Sequence, residues 1–193
     1  MNNPLLINVT PFKGLLTESK DRPGIFEVTG IMQRAGAKNQ NGRIYKREIL
    51  EQEVRNYIEN FVKVGNAYGE LDHPESPIVS LKNASHVVKD LWWEGQELMG
   101  RVELLNTPSG NIVKEILRAG HTIGISSRGT GSVTQTNEGT LMVQPDFELC
   151  AWDFVSNPST QGAFMTPISL NENSQGTYRY AKLDSIINNI LRA

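Results

Sequence analysis

The sequence predicts a fold of the α+β class, because stretches typical of strands dominate the chain and two amphipathic helices interrupt them. β-Branched and aromatic residues fill residues 24–32, which indicates a strand, and the Gly- and Asn-rich stretch 36–45 indicates a loop. Between residues 46 and 61, approximately, apolar side chains recur three to five positions apart, which predicts a helix with one apolar face. This face comprises Tyr45, Ile49, Val54, Tyr57, Ile58 and Phe61.

The middle of the chain predicts a hairpin followed by a second helix. Two apolar runs within residues 86–104 flank Gly95, which is typical of two strands joined by a tight turn. Thr107 is a suitable N-cap, Pro108 suits a first helical turn, and Gly120 suits the end of the same helix. The apolar stripe of this helix comprises Ile112, Val113, Ile116 and Leu117.

The remaining residues predict further strands and a separate C-terminal arm. Residues 121–133 and 142–155 have the composition of strands and flank a polar turn. Residues 169–180 are polar and lack apolar periodicity, as is typical of a flexible linker. We therefore expect one folded domain over residues 1–168 and an arm over residues 169–193, whose short helix needs a surface on which to dock. The apolar stripe of the arm comprises Leu183, Ile186, Ile187, Ile190 and Leu191.

Composition excludes several classes of function. The chain has 193 residues, enough to bury a core, and its net charge of -2 lacks the basic surplus that nucleic-acid binding needs. A single cysteine, Cys150, excludes an internal disulfide and a cysteine-ligated zinc site. No long apolar run is present, and the first residues lack the basic flank and apolar stretch of a signal peptide. We therefore expect a soluble, unsecreted protein that binds neither nucleic acid nor membrane.

Of the three histidines, His73 lies in the most unusual setting. It stands in the segment GELDHPESP (69–77), where a glycine and two prolines restrict the backbone around ionisable side chains. A neutral imidazole is the natural general base for activating a hydroxyl. Two alternatives stay open, namely a solvated turn with an incidental histidine and a metal site that includes Glu70 and Asp72. Packing or helix capping is sufficient to explain the other two, His86 and His121.

The segment GISSRGTG (124–131) contains a candidate nucleophile. Small residues let a substrate backbone approach, and nearby N–H groups can point at a developing oxyanion. In a strand, Ser126 lies on the face opposite Ile125 and should face an open cleft, whereas Ser127 shares the face of Ile125. Arg128 replaces the last glycine of the G-x-S-x-G elbow, which argues against an α/β-hydrolase. An ordinary Ser- and Gly-rich strand end stays open as the alternative.

Asp153 stands on an otherwise apolar face of the last predicted strand. A buried carboxylate without a partner is costly, so we expect either a histidine that this acid orients or an arginine in a purely structural pair. Asp146 and Glu148 are less constrained alternatives. With His73 and Ser126, Asp153 supplies the parts of a nucleophile, base and orienting acid. The residues that should share the face of Asp153 are Phe147, Leu149, Ala151 and Val155.

Several segments, in order and spacing, resemble the prohead core protein proteases of T-even-like tailed phages. The resemblance covers roughly residues 24–167, most of the chain. No single hexapeptide carries it, and its specificity comes from the segments together. They are NGRIYKREILEQEV (41–54), GELDHP (69–74), DLWWEG (90–95), ILRAGHTIGISSRGTGS (116–132) and WDFVSNPS (152–159).

The resemblance implies a fold similar to that of the herpesvirus assemblins, in which helices surround a β-barrel-like mixed sheet. It implies a serine endopeptidase, without cofactor or metal, that acts inside the assembling procapsid in the host cytoplasm. Its substrates would be scaffold or core proteins, the propeptide of the major capsid protein, and the protease itself. A non-catalytic scaffold-binding protein of the same fold is the alternative, and self-association stays open.

Carried onto this sequence, the resemblance places the base on His73 and the nucleophile on Ser126, with Ser127 in reserve. Assemblins use a second histidine downstream of the serine, but no histidine follows His121 here. The resemblance to related phage proteases implies an acid at the equivalent strand instead, and Asp153 occupies that strand here. Candidate donors to the oxyanion are the backbone N–H groups near Ser127, Arg128 and Gly129, with the Arg128 side chain as a helper.

The family resemblance also implies cleavage after Glu where Leu or Ile stands two residues earlier. Leu170-Asn171-Glu172 satisfies this rule within the predicted linker, where a backbone can enter a protease cleft. We therefore expect self-cleavage after Glu172, which would release the terminal helix. Leu16-Thr17-Glu18 is a second match.

Overall fold

The computed structural model describes residues 4–11, 15–19 and 22–156, and this part of the chain is built mainly from strands. The strands are β1 (Leu5–Pro11), β2 (Leu15–Glu18), β3 (Phe26–Arg34), β4 (Arg43–Ile44), β5 (Tyr68–Glu70), β6 (Ala84–Glu94), β7 (Glu97–Leu104), β8 (Gly124–Thr130), β9 (Val133–Gln135), β10 (Leu141–Val143) and β11 (Glu148–Val155). The helices are α1 (Arg47–Tyr57), which continues as a π-helical turn over Ile58–Val62, a single 3-10 turn at Leu81–Asn83, and α2 (Pro108–Arg118).

Two antiparallel sheets form most of the described fold. One has the strand order β2-β3-β7-β6-β5, and the other has the order β1-β8-β11. The edge strand β5 contacts β11, and β1 contacts β3, so the two sheets meet along two seams around the core. A small third sheet joins β4, β10 and β9. This strand-rich arrangement with few helices confirms the predicted α+β class.

Helix α1 packs its apolar face against β11. Leu50, Val54 and Tyr57 are buried, and the Tyr57 ring meets the Trp152 ring edge to face at a centroid distance of 5.0 Å. Tyr45, which lies just before α1, is buried as well, so burial is confirmed for three residues of the predicted stripe, Tyr45, Val54 and Tyr57. The stripe omitted Leu50, which is 1% exposed. The other members of the stripe, Ile49, Ile58 and Phe61, are partly buried against the core.

Helix α2 begins and ends where the sequence predicts. The Thr107 hydroxyl accepts a hydrogen bond from the Gly110 N–H at 3.0 Å, and Gly120 adopts a φ of +83°, the left-handed conformation that glycine favours after a helix. Val113 is buried, but Ile112 is 52% exposed, so the apolar stripe predicted for this helix is not buried as a whole. Adjacent helical residues point about 100° apart, and burial of Val113 therefore turns Ile112 toward solvent.

The predicted hairpin is confirmed as β6 and β7, with Gly95 in its turn at a φ of +57°. Each of the two longer predicted strands is divided in the structure. The first stretch becomes β8 and β9, and the second becomes β10 and β11. Pro145 stands between β10 and β11, where its missing N–H cannot join a ladder, and the Phe147 N–H closes a turn onto Gln144.

The predicted domain boundary at residue 168, the linker, the terminal helix and Glu172 all lie outside the described residues. The second matching cleavage segment, Leu16-Thr17-Glu18, lies within β2 and pairs with β3. A paired strand cannot enter a protease cleft without leaving its sheet. None of the described helices is long and apolar enough to span a membrane.

Candidate active site

The pairing of β8 with β11 brings two candidate residues together. Ser126 and Asp153 are direct partners in this antiparallel ladder, so their side chains emerge on the same face of the sheet. A bulge between Leu149 and Ala151 shifts the register. The expectation that Asp153 continues the face of Leu149 is therefore wrong, because the extra residue at the bulge interrupts the alternation.

His73 reaches this face from a loop over residues 71–80, called the histidine loop below. At its start, the Asp72 N–H donates to the Phe154 carbonyl at 2.8 Å, which fixes the loop to the end of β11. Asp72 has a φ of +63°, a left-handed conformation that few residue types adopt and that Asp tolerates. The chain turns sharply at Asp72, directly before His73.

The three candidate side chains form one hydrogen-bonded line. His73 Nε2 lies 2.5 Å from Ser126 Oγ, and His73 Nδ1 lies 2.9 Å from Asp153 Oδ2. The His73 side chain is 16% exposed, whereas Ser126 and Asp153 are fully buried. The expectation that Ser126 faces an open cleft is therefore wrong, because the residue is fully buried. A substrate carbonyl can reach Ser126 only if neighbouring atoms move.

The Asp153 carboxylate is the most strongly hydrogen-bonded group of the site. Its Oδ1 accepts from the Glu70 N–H at 2.9 Å and from Arg128 Nη2 at 3.1 Å, and its Oδ2 accepts from His73 and from Arg128 Nε at 2.8 Å. Burial opposes its ionisation, but the hydrogen bonds from His73, Arg128 and the Glu70 N–H outweigh burial and hold the pKa of Asp153 below its usual value. The two partners that the sequence offered as alternatives, a histidine and an arginine, are both present.

Arg128 is fully buried and serves as an ion-pair partner. Besides Asp153, its guanidinium contacts Glu70 Oε1 at 3.0 Å and the carbonyls of Ser76 and Ile78 at 2.5 Å and 3.5 Å. These contacts engage all five guanidinium N–H groups. The side chain therefore has no donor left for an oxyanion, contrary to the expectation from the sequence.

The backbone donors expected near the serine lie in the centre of a sheet. Ser127, Arg128 and Gly129 belong to β8, which pairs with β1 on one side and with β11 on the other. Backbone N–H groups of a central strand point at its two neighbours. The neighbouring strands therefore compete with a substrate for these N–H groups, and their role as oxyanion donors stays a prediction. Ser127 lies on the opposite face of β8 from Ser126.

The metal site considered for Glu70 and Asp72 gains no support. Glu70 Oε1 accepts from Arg128 and from the Ser80 N–H, both at 3.0 Å. The Arg128 guanidinium thus occupies the position beside Glu70 that a metal ion would take. Over residues 4–11, 15–19 and 22–156, no group of three or more His, Cys, Asp or Glu side chains is placed to hold a metal ion.

Ser85 and His86 on β6 form a second serine and histidine pair, which the sequence did not reveal as a pair. His86 is fully buried, as its position in an apolar strand predicts, and its Nδ1 lies 2.9 Å from Ser85 Oγ. Burial lowers the pKa of His86 to about 4, although the charge of Asp153 acts in the opposite direction. His121 follows α2, and its N–H donates to the Ile116 carbonyl at 3.1 Å, in agreement with a capping role.

Most of this chain is similar to known proteins. The family model described as prohead core protein serine protease matches residues 4–175. The prohead core protein protease of Enterobacteria phage T4 is 37% identical over 154 residues, which cover 78% of this chain and 72% of that protein. The solved structure of the bacteriophage T4 capsid assembly protease, gp21, is similar with a TM-score of 0.74 and 34% identity, over 80% of this chain and 98% of that chain.

Proposed function

Because this chain belongs to the family of prohead core protein serine proteases, we propose that it is a serine endopeptidase with Ser126 as nucleophile, His73 as general base and Asp153 as the orienting acid. Family membership makes it a protease of phage capsid assembly. The assignment of the three residues rests on one observation, the pair of hydrogen bonds that joins Ser126 to Asp153 through the His73 ring.

The proposed reaction proceeds through an ester on Ser126. The Ser126 oxygen attacks the scissile carbonyl carbon while His73 Nε2 takes the hydroxyl proton. The imidazolium then gives this proton to the leaving amine as the C–N bond breaks. A water molecule attacks the ester, His73 accepts a proton from it, and the proton returns to the serine oxygen as the acid product leaves.

Asp153 contributes by fixing the tautomer of His73. Its carboxylate accepts the Nδ1 hydrogen, so the lone pair of Nε2 points at the Ser126 hydroxyl. The lowered pKa of Asp153 keeps the acid ionised at neutral pH, as this role requires. The negative charge then stabilises the imidazolium that forms during each proton transfer.

The proposal extends to substrates and place. We propose that the enzyme works inside the procapsid and cleaves scaffold or core proteins, the propeptide of the major capsid protein, and its own chain. Cleavage after Glu with Leu or Ile two residues earlier would include Glu172, which lies in the segment predicted to be a linker. Loss of residues 173–193 is the expected product of self-cleavage.

Mass spectrometry of the purified full-length chain tests this function. Wild-type protein should lose residues 173–193 during incubation, Ser126→Ala protein should stay intact, and Ser127→Ala protein should behave as wild type. Added wild-type enzyme should then trim the Ser126→Ala chain, which shows that its cleavage segment is accessible. Self-trimming by Ser126→Ala protein would contradict the nucleophile assignment. Binding of core proteins without cleavage of any of them would favour the non-catalytic alternative.

A further inference from the structure

A buried ion cluster shares Asp153 with the proposed triad. Arg128, Glu70 and Asp153 have fully buried side chains, and the guanidinium bridges the two carboxylates. Removing charges from water costs free energy that ion pairing returns only in part, so a buried cluster is weak evidence for stability. Positioning accounts for the cluster better than stability does, because each of its contacts fixes part of the site.

Arg128 connects the acid of the triad to the far end of the histidine loop. Its Nε and Nη2 bind both oxygens of Asp153, at 2.8 Å and 3.1 Å, which is the bidentate geometry that orients a carboxylate. Its Nη1 donates to the Ser76 carbonyl at 2.5 Å. A lysine could not make this set of contacts, because it lacks the planar arrangement of five donors.

Glu70 fixes both ends of the same loop. It immediately precedes the loop, and its Oε1 accepts from the N–H of Ser80 at the end of the loop, at 3.0 Å. The Glu70 N–H also donates to Asp153 Oδ1 at 2.9 Å. One residue thus joins the start of the loop, the end of the loop and the acid of the triad.

The arrangement along β8 places this cluster on the face of the nucleophile. Arg128 follows Ser126 by two positions, so strand alternation directs both side chains to one side of the sheet. With a neutral His73, the cluster has two carboxylates and one guanidinium, a net charge of one negative unit. The imidazolium that forms when His73 takes the serine proton neutralises this charge.

We propose that Arg128 and Glu70 are positioning residues for the reaction, which hold Asp153 and the histidine loop so that the His73 ring stays between Ser126 and Asp153. This inference rests on the proposed function. Neither residue touches the reacting atoms. Their removal should therefore lower kcat through misalignment of the imidazole and should leave KM for a peptide nearly unchanged.

Two variants test this role. Glu70→Gln keeps the shape of the side chain and an oxygen that can accept from Arg128 and Ser80, but it removes the negative charge that pairs with the guanidinium. Arg128→Lys keeps the positive charge but loses the bidentate contact. We expect kcat for cleavage of a Leu-x-Glu peptide to fall about 100-fold in Arg128→Lys protein, the size of effect that a small misplacement of a catalytic group produces. In Glu70→Gln protein it should fall about tenfold, because a neutral acceptor binds the guanidinium more weakly than a carboxylate does. Because the two residues act on the same alignment, the double variant should lose much less than the product of the two single effects.

A spectroscopic readout separates positioning from a merely structural role. The proton between His73 Nδ1 and Asp153 should give a low-field NMR resonance in wild-type protein, which is lost or broadened in Glu70→Gln protein that circular dichroism shows to be folded. Glu103→Gln is the matched control, because it removes a carboxylate that pairs with Arg22 at 2.6 Å on the exposed surface. This control should keep both the resonance and the wild-type kcat.

The outcomes distinguish the inference from the proposed function. Retained activity in Ser126→Ala protein would contradict the function itself. If Ser126→Ala protein is inactive but Glu70→Gln protein cleaves at the wild-type rate, only the positioning role is overturned. The same conclusion follows if activity falls only in proportion to the folded fraction and the resonance persists. Should Arg128→Lys fail to fold, the isosteric Glu70→Gln variant decides alone.

Discussion

Two serine and histidine pairs lie close together in this molecule, and they differ in what surrounds the imidazole. In one, Ser126 bonds Nε2 of His73 at 2.5 Å and Asp153 bonds Nδ1. In the other, Ser85 bonds Nδ1 of His86 at 2.9 Å, and that nitrogen has no carboxylate partner. The two pairs thus share a contact between a hydroxyl and an imidazole, and the carboxylate on the second ring nitrogen is what sets the proposed nucleophile apart.

Burial explains why the second pair is suited to packing. His86 is fully buried and stacks edge to face on Phe154 at a centroid distance of 4.6 Å, and its pKa falls to about 4 because burial penalises the charged ring. His73 keeps part of its side chain exposed, and its Nδ1 is hydrogen-bonded to the Asp153 carboxylate. A base that must accept a proton during the reaction needs the environment of His73, not that of His86.

The largest contrast should come from removing each serine. Ser126→Ala should lower kcat by about 10⁵- to 10⁶-fold, because the covalent step is lost. Ser85→Ala should change kcat by no more than about threefold and the free energy of unfolding by about 1 kcal/mol, the worth of one hydrogen bond. Peptide cleavage and urea denaturation measure both quantities. Comparable activity losses in the two variants would remove the distinction between the pairs.

Asp153→Asn should reduce kcat by about 10⁴-fold, because an amide can favour the wrong tautomer of His73 and cannot stabilise the imidazolium. His86→Gln changes the histidine of the pair that has no acid, and its kcat should stay within about tenfold of wild type. Both are assayed on the same peptide after the folded fraction is checked by circular dichroism. A wild-type rate for Asp153→Asn would show that His73 needs no orienting acid.

Gly69 lies against the His86 ring and the backbone of β11 and should be intolerant of a side chain. A Cβ at this position would overlap the Trp152 carbonyl oxygen and the His86 ring, and the backbone atom cannot yield cheaply. We expect Gly69→Ala to destabilise the fold by about 3 kcal/mol, which urea denaturation measures. The control is Gly65→Ala, which has open space but a φ of +83° and should cost about 1 kcal/mol.

The buried histidine should make stability depend on pH. Its folded pKa of about 4 lies below the ordinary value of 6.5, so the unfolded chain takes up a proton that the folded protein excludes. The free energy of unfolding should therefore fall as the pH drops from about 6.5 toward 4, by about 2 kcal/mol at pH 5. Denaturation of wild type and His86→Gln across this range measures the effect. An equal decline in both proteins would place its origin elsewhere.

Local patterns were sufficient to predict the elements whose side chains follow one period. The β6 and β7 hairpin with Gly95 and the α2 helix with its Thr107 cap are confirmed, because turn and cap chemistry is encoded in adjacent residues. The exposed Ile112 and the bulge in β11 were not predicted, because packing between distant elements decides them.

The site was predictable in part for the same reason. Regular alternation on β8 places Ser126 and Ser127 on opposite faces of the strand. A carboxylate on an apolar strand face, as at Asp153, predicts buried hydrogen-bond partners. The role of Arg128 was misjudged, because its partners come from β5, β11 and the histidine loop, which are far apart in sequence. Strand alternation alone places Arg128 on the face of Ser126, but it does not identify the carboxylates that pair with the guanidinium.

Covalent labelling tests the central claim most directly. Wild-type protein and the Ser126→Ala, Ser127→Ala and Ser85→Ala variants are treated with a peptidyl phosphonate, digested, and examined by tandem mass spectrometry. We predict one phosphonylated residue, Ser126, in wild type and in the last two variants, and no adduct in Ser126→Ala protein. An adduct on Ser127 or Ser85, or labelling that survives the Ser126→Ala substitution, would contradict the assignment.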